Sequence, residues 1–182
     1  MSLSFNDVLS KNLTDTGPYI KLLADLHGDK LREPTVIVIT GPYCSGKSFL
    51  IDLMEAFLSE DGYCLVLPDS KLNKLYDTRE MIESHEEIIA KSKLLIVREL
   101  TYGREKNPND IVWQSLVCLS RKKPIVIGLQ ASEIDMIPIN ERQNCIIIEC
   151  SHKLEKSERH NDLRDKANLQ HMVTSIRSYL DL

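Results

Sequence analysis

A chain of 182 residues with a formal charge of −4 has the length of one domain that buries roughly 70 % of its unfolded surface without covalent staples. Its acidic balance argues against tight nonspecific nucleic-acid binding by the chain as a whole, and its five cysteines, odd in number and without CxxC or Cys/His spacing, argue against a disulfide framework and a structural zinc and point to a reducing compartment. The longest apolar runs, 94–97 and 145–148, fall far short of a membrane span and no charged-then-apolar signal opens the chain, so a soluble intracellular protein of cytoplasm or nucleus, without a membrane partner, is expected.

Residues 1–33 read as a helical lead-in to a single domain over 34–182. In the lead-in, Tyr19, Ile20, Leu22, Leu23 and Leu26 recur at helical spacing and Gly28 ends the stripe. The β-branched run 35–40 is the first strand candidate. Gly41-Pro42-Tyr43-Cys44-Ser45-Gly46-Lys47-Ser48 joins it to an amphipathic stretch, 49–58, that begins with Phe49. Two glycines in that spacing, then Lys and Ser, between a strand and a helix, form a phosphate-binding loop whose backbone N–H groups and helix N-terminus surround a nucleotide phosphate. Gly41 and Gly46 permit a close approach that a Cβ would block. Lys47 is the point charge for the β/γ-phosphates, and the Ser48 hydroxyl is the expected Mg²⁺ ligand. Residues 41–49 are therefore the candidate nucleotide-binding set.

Four further short apolar runs follow, at 62–67, 94–97, 124–129 and 145–150, continuous enough to be strands covered on both faces. Helices are expected between them: one near Asp77 with Glu80 in a capping-box arrangement, and one at Asn107-Pro108 with Asp110 in its first turn. A last helix spans 161–180. Alternation of this kind predicts an α/β sandwich of three layers around a mostly parallel five-stranded sheet, with ligands at the carboxyl ends of the strands.

Those strand ends carry the remaining candidates. Arg98-Glu99 follows the third run, and Glu99 is assigned to Mg²⁺ or water activation, against the alternative of a solvated carboxylate capping a strand. Arg98 is a cation where an acid is common; it could meet a phosphate or a neighbouring acid. Gln130 follows the fourth run, where an amide can bond both the γ-phosphate and the attacking water, or simply close the loop 131–133. Arg142, shortly before the last run, is either a surface arginine or one that reaches a neighbouring subunit's γ-phosphate. Arg104-Glu105-Lys106 and Arg121-Lys122-Lys123 are the nearby basic clusters. Trp113 and Tyr102 could stack on a base, and Trp113 fits a packed helix equally well. Cys44, in the loop beside Lys47, is a candidate oxidisable thiol. The five histidines have no paired ligand spacing.

Together these residues resemble the ASCE branch of P-loop NTPases, and more narrowly the superfamily 3 helicases of small DNA viruses. The resemblance rests on Gly41-Pro42 and Ser45-Gly46-Lys47-Ser48, the apolar run into Glu99, the run into Gln130, and Arg142 leading into Cys145-Ile146-Ile147-Ile148-Glu149. It covers residues 35–150. It implies an acid-bearing strand adjacent to the phosphate loop's own, Mg·ATP hydrolysis with Lys47, Ser48, Glu99 and Gln130 in cis and Arg142 in trans, a homo-oligomeric ring, and single-stranded nucleic acid as a partner in viral-type replication. The chain departs from that family in having Gln at 130 rather than Asn and too few residues over 100–123 for a basic DNA-tracking hairpin. A nucleotide or small-molecule kinase, favoured by Pro68-Asp69, and a non-hydrolysing nucleotide-dependent assembly module remain the alternatives.

Overall fold

The computed structural model describes residues 4–32, 34–68, 72, 75–98, 100, 108–151 and 166–182. The elements run α1 (Phe5–Asn12), α2 (Gly17–His27), β1 (Val36–Gly41), α3 (Lys47–Leu58), β2 (Tyr63–Val66), α4 (Leu75–Ser84), α5 (Glu86–Lys91) and β3 (Ser92–Val97). They continue through α6 (Pro108–Ser120), β4 (Ile125–Gln130), a 3₁₀ turn (Ala131–Met136), α7 (Ile139–Arg142), β5 (Cys145–Glu149) and α8 (Lys166–Tyr179).

All strand pairs of the five-stranded sheet are parallel, in the order β2-β3-β4-β1-β5. The strand period of two explains why every residue of β1 is buried. Ile37 and Ile39 face a core made with Leu9, Tyr19, Leu23, Leu50, Met54, Phe57 and Ile176 from α1, α2, α3 and α8. Val36 and Val38 face the other core, with Met81, Trp113 and Leu116 from α4 and α6. Helices on both faces of one parallel sheet give the expected three layers.

One expectation about the sheet is corrected. β3, the run into Arg98, does not adjoin β1, because β4 stands between them and pairs with both. Both runs are apolar enough to be central, so composition cannot rank them; crossover packing decides which lies inside.

Local differences are smaller. The helix expected to start near Asp77 begins two residues earlier, leaving Asp77 in its first turn, still at the favourable end of the helix dipole. The helical lead-in consists of two helices, α1 and α2. Ser4 caps α1 reciprocally with Asp7: the Asp7 N–H donates to Ser4 Oγ at 3.2 Å, and the Ser4 N–H to the Asp7 carboxylate at 3.3 Å. Just after α1 the chain is extended at Leu13, which bridges antiparallel to Cys150 just beyond β5. α8 begins at Lys166; residues 161–165, like Asp69, Glu99, Tyr102, the cluster 104–106, His152 and His160, lie outside the described residues. Trp113 is 5 % exposed inside the second core, so its ring packs rather than stacks on a ligand. Among the described residues, no helix is long and apolar enough to cross a membrane.

Candidate functional site

The loop from β1 to α3 is shaped by tight backbone contacts. A Cβ on Gly41 would stand 2.6 Å from Cys150 Cβ and 2.7 Å from Ser45 Oγ, distances that no side chain tolerates, so glycine is required by the closeness of the chain beyond β5. Gly46 has φ +92° and precedes α3 directly. Cys44 has φ +60°, a left-handed conformation that strains a residue with a side chain. Burial pushes the Cys150 thiol up, partly offset by Ser45 and Lys47, which sets this cysteine against the floor of the loop.

Lys47 folds across the loop it belongs to. Its Nζ donates to the carbonyls of Gly41 at 2.9 Å and Pro42 at 2.8 Å, and to Gln130 Oε1 at 3.3 Å. Gln130 ends β4 directly opposite Gly41 in the sheet register, and its N–H donates to the Glu133 carboxylate at 3.0 Å, opening the 3₁₀ turn. Two candidate residues far apart in sequence are thereby in contact at the carboxyl edge of the sheet. An anion entering the loop would offer the Lys47 ammonium a charge-assisted partner stronger than these neutral carbonyls.

The rest of the nine-residue set divides by exposure. Ser48 is exposed in the first turn of α3, Tyr43 is 71 % exposed on the loop, and Phe49 is 2 % exposed in the core. The Phe49 ring therefore holds α3 against the sheet and leaves only its backbone N–H for a ligand.

At the end of β3, Arg98 forms ion pairs with Asp52 and with Glu55, both on α3. The cation that the sequence places where an acid is common meets neighbouring acids. Asp52 is 12 % and Glu55 29 % exposed, and burial pushes the Glu55 carboxyl up. Gly128 makes this crossing possible: a Cβ there would lie 2.3 Å from the Arg98 carbonyl oxygen, and the Leu100 N–H donates to the Gly128 carbonyl at 3.0 Å. Sequence reasoning passed over Asp52, Glu55 and Gly128. A lone glycine inside an apolar strand is the signal that marks such an approach, and Asp52 stands one helical turn after Ser48.

Arg142 is not brought to the loop of its own chain. It lies three residues before Cys145, whose register partner is Val36, at the other end of β1 from Gly41; five strand steps make that separation about 16 Å. Its Nε donates to the Ile137 carbonyl at 3.1 Å and its Nη2 to Asp135 at 2.9 Å. Arg121 and Lys122 are exposed just past α6, and Lys123 lines a cleft with Lys91, Lys93 and Asp29 at this same amino edge.

Among the described residues no group of three or more His, Cys, Asp or Glu side chains could hold a metal ion. His27 instead pairs with Asp61 at 3.1 Å, and His85 Nδ1 lies 2.8 Å from Ser84 Oγ. A magnesium ion on a nucleotide, however, keeps several waters and takes few protein ligands, a demand that the exposed Ser48 hydroxyl at the start of α3 fits.

No family model and no curated protein matches the sequence significantly. Solved structures resemble it in fold. A chain of the HORMA:CdnC:Trip13 complex of E. coli MS115-1 superposes with a TM-score of 0.52 at 12 % identity, covering 95 % of this chain and 76 % of that one. AMPPCP-bound DnaA from Aquifex aeolicus aligns with a TM-score of 0.43 at 14 % identity, over 98 % of this chain and 63 % of that one. At 12 % identity the first likeness is one of fold, and the parallel five-stranded sheet with its loop between β1 and α3 has the layers of a P-loop NTPase-like sandwich.

Proposed function

We propose that the chain binds ATP with Mg²⁺ in the loop 41–48 and hydrolyses it. The observation that carries this reading is the contact of Lys47 Nζ with Gln130 Oε1 above Gly41, which joins a phosphate-binding cation to an amide able to orient water or sense a γ-phosphate. The backbone N–H groups at the start of α3 receive the phosphates, and Lys47 exchanges its carbonyl partners for phosphate oxygens, drawing off negative charge as it develops. Ser48 would hold Mg²⁺, with Glu99 as a further ligand or as the group that orients the attacking water; when bound, the ion would neutralise phosphate charge. Arg142, which bonds Ile137 and Asp135 away from its own loop, would take part only in trans, on the nucleotide of a neighbouring copy. Coupling to single-stranded nucleic acid, as in a helicase-like replication ATPase, is the finer form of this proposal.

The test is ATP turnover with and without single-stranded DNA or RNA. Lys47→Ala should abolish both binding and turnover, whereas Glu99→Gln should retain binding and lose turnover by about 100-fold or more, as removal of a catalytic proton acceptor does. Turnover unaffected by either change would overturn the assignment. A second reading, a nucleotide-dependent assembly module that does not hydrolyse, draws on the commitment of Arg98 to Asp52 and Glu55; it requires nucleotide-dependent oligomer size with background turnover.

A further inference from the structure

We propose that Arg98 sets the affinity of the loop for polyphosphates by cancelling two negative charges lodged in the helix that grips them. The inference rests on the nucleotide reading above and extends it to residues outside the loop. Asp52 lies one turn along α3 from Ser48, about 6 Å of helix rise away, and Glu55 lies one turn further. Both carboxylates are turned toward the sheet rather than into bulk water, with side-chain exposures of 12 % and 29 %. Screening is reduced there but not removed, since the Arg98 side chain itself is 41 % exposed. Unopposed, they would place two negative charges directly behind the end of the helix where phosphate is to bind, against the favourable field of the helix terminus.

The fold supplies one guanidinium to both. Arg98 reaches them because its main chain passes over Gly128, where any side chain would collide with the Arg98 carbonyl, and because Ile51 packs α3 down on that same glycine, its Cδ1 being 3.3 Å from where a Cβ would stand. Strand and helix have thus exchanged charges: the cation stands on β3 and the acids on α3. Arg98 is a positioning residue in the electrostatic sense. It pairs with Asp52 and Glu55 and acts through them on the field at Ser48 and Lys47.

This role makes the effect depend on ligand charge, which a purely structural ion pair would not. Calorimetric titration of the full chain with ATP, ADP and adenosine distinguishes the two. Arg98→Gln should weaken ATP at least tenfold, weaken ADP less, and leave adenosine unchanged; adding Asp52→Asn and Glu55→Gln to it should return ATP affinity to within threefold of wild type. The double variant Asp52→Asn/Glu55→Gln, which leaves Arg98 in place, should bind ATP more tightly than wild type, and it tests the inference even where Arg98→Gln does not fold. ATP binding by wild type that is unchanged in Arg98→Gln, equal losses for ATP and adenosine, or no gain in the double variant would each overturn the inference while leaving the nucleotide reading intact. Failure of the wild type to bind ATP overturns both.

Discussion

At the scale of single residues, what governs the site is how little room the loop has. Gly41 faces Cys150 and Ser45 at distances under 3 Å from where a Cβ would sit, so Gly41→Ala forces a main-chain shift and should cost about 1–3 kcal/mol, as overpacking does. Urea unfolding measures that cost. ATP affinity should fall further than stability alone explains, since the shifted backbone carries the phosphate-facing N–H groups. Two thiols away from the loop report burial elsewhere in the sheet. Burial pushes Cys145 up to about 11 and Cys64 up to about 12, leaving almost no thiolate at pH 8. Iodoacetamide should therefore label these two in the folded chain at least about tenfold more slowly than in urea, read by peptide mass spectrometry. The glycines of the loop were legible from their spacing alone, because a phosphate-binding turn demands them locally. Asp52 and Glu55 were not, because an acid on an amphipathic helix reads as solvated until the strand beneath it supplies an arginine.

Among elements, α3 is the piece on which the others converge. Tyr19 of α2 donates from its hydroxyl to the Leu50 carbonyl at 2.6 Å, and Arg177 of α8 donates to the Phe57 carbonyl at 2.9 Å, lies 5.0 Å from the centre of the Phe57 ring, and pairs with Glu60 at 2.9 Å and with Asp61. The hydrogen bond and charge of Arg177 hold the Asp61 carboxyl below its ordinary 3.8. A carboxylate lowered in this way stabilises the fold fully above its unfolded pKa, and the contribution disappears as pH falls through the lower, folded value. Thermal melts across pH 2–6 should accordingly show a steeper acid loss for wild type than for Asp61→Asn, the two differing most above pH 4. Asp61 is partly exposed and screened, which keeps the difference small. Helices α2, α3, α4, α6 and α8 were visible in the sequence as apolar stripes or capping patterns, whereas α5, α7 and the break between α1 and α2 were not. The break is set by the extended pairing of Leu13 with Cys150, a contact across most of the chain.

For the whole molecule, the two N-terminal helices share one core with α3, α8 and the sheet: Leu9, Tyr19 and Leu23 lie fully buried beside Leu50, Met54 and Ile176. Removing residues 1–33 would expose that surface. The truncated chain is expected to lose its cooperative unfolding transition and to aggregate, checked by urea titration and size-exclusion chromatography; a soluble fragment with wild-type midpoint would show that the lead-in adds nothing to the core. The α/β class, the phosphate loop, the five strands and the polar residue ending each one were written in the linear chain, because each depends on a few neighbouring residues whose spacing matches a strand, a turn or a helix end. The order of the strands was a tertiary matter. So were the contact of Gln130 with Lys47, the removal of Arg142 to the far edge of the sheet, and the pairing of Arg98 with acids on α3. These depend on which of several equally apolar strands packs beside which, and that choice is made by the helices crossing the two faces, through contacts between residues far apart in sequence that no local pattern encodes.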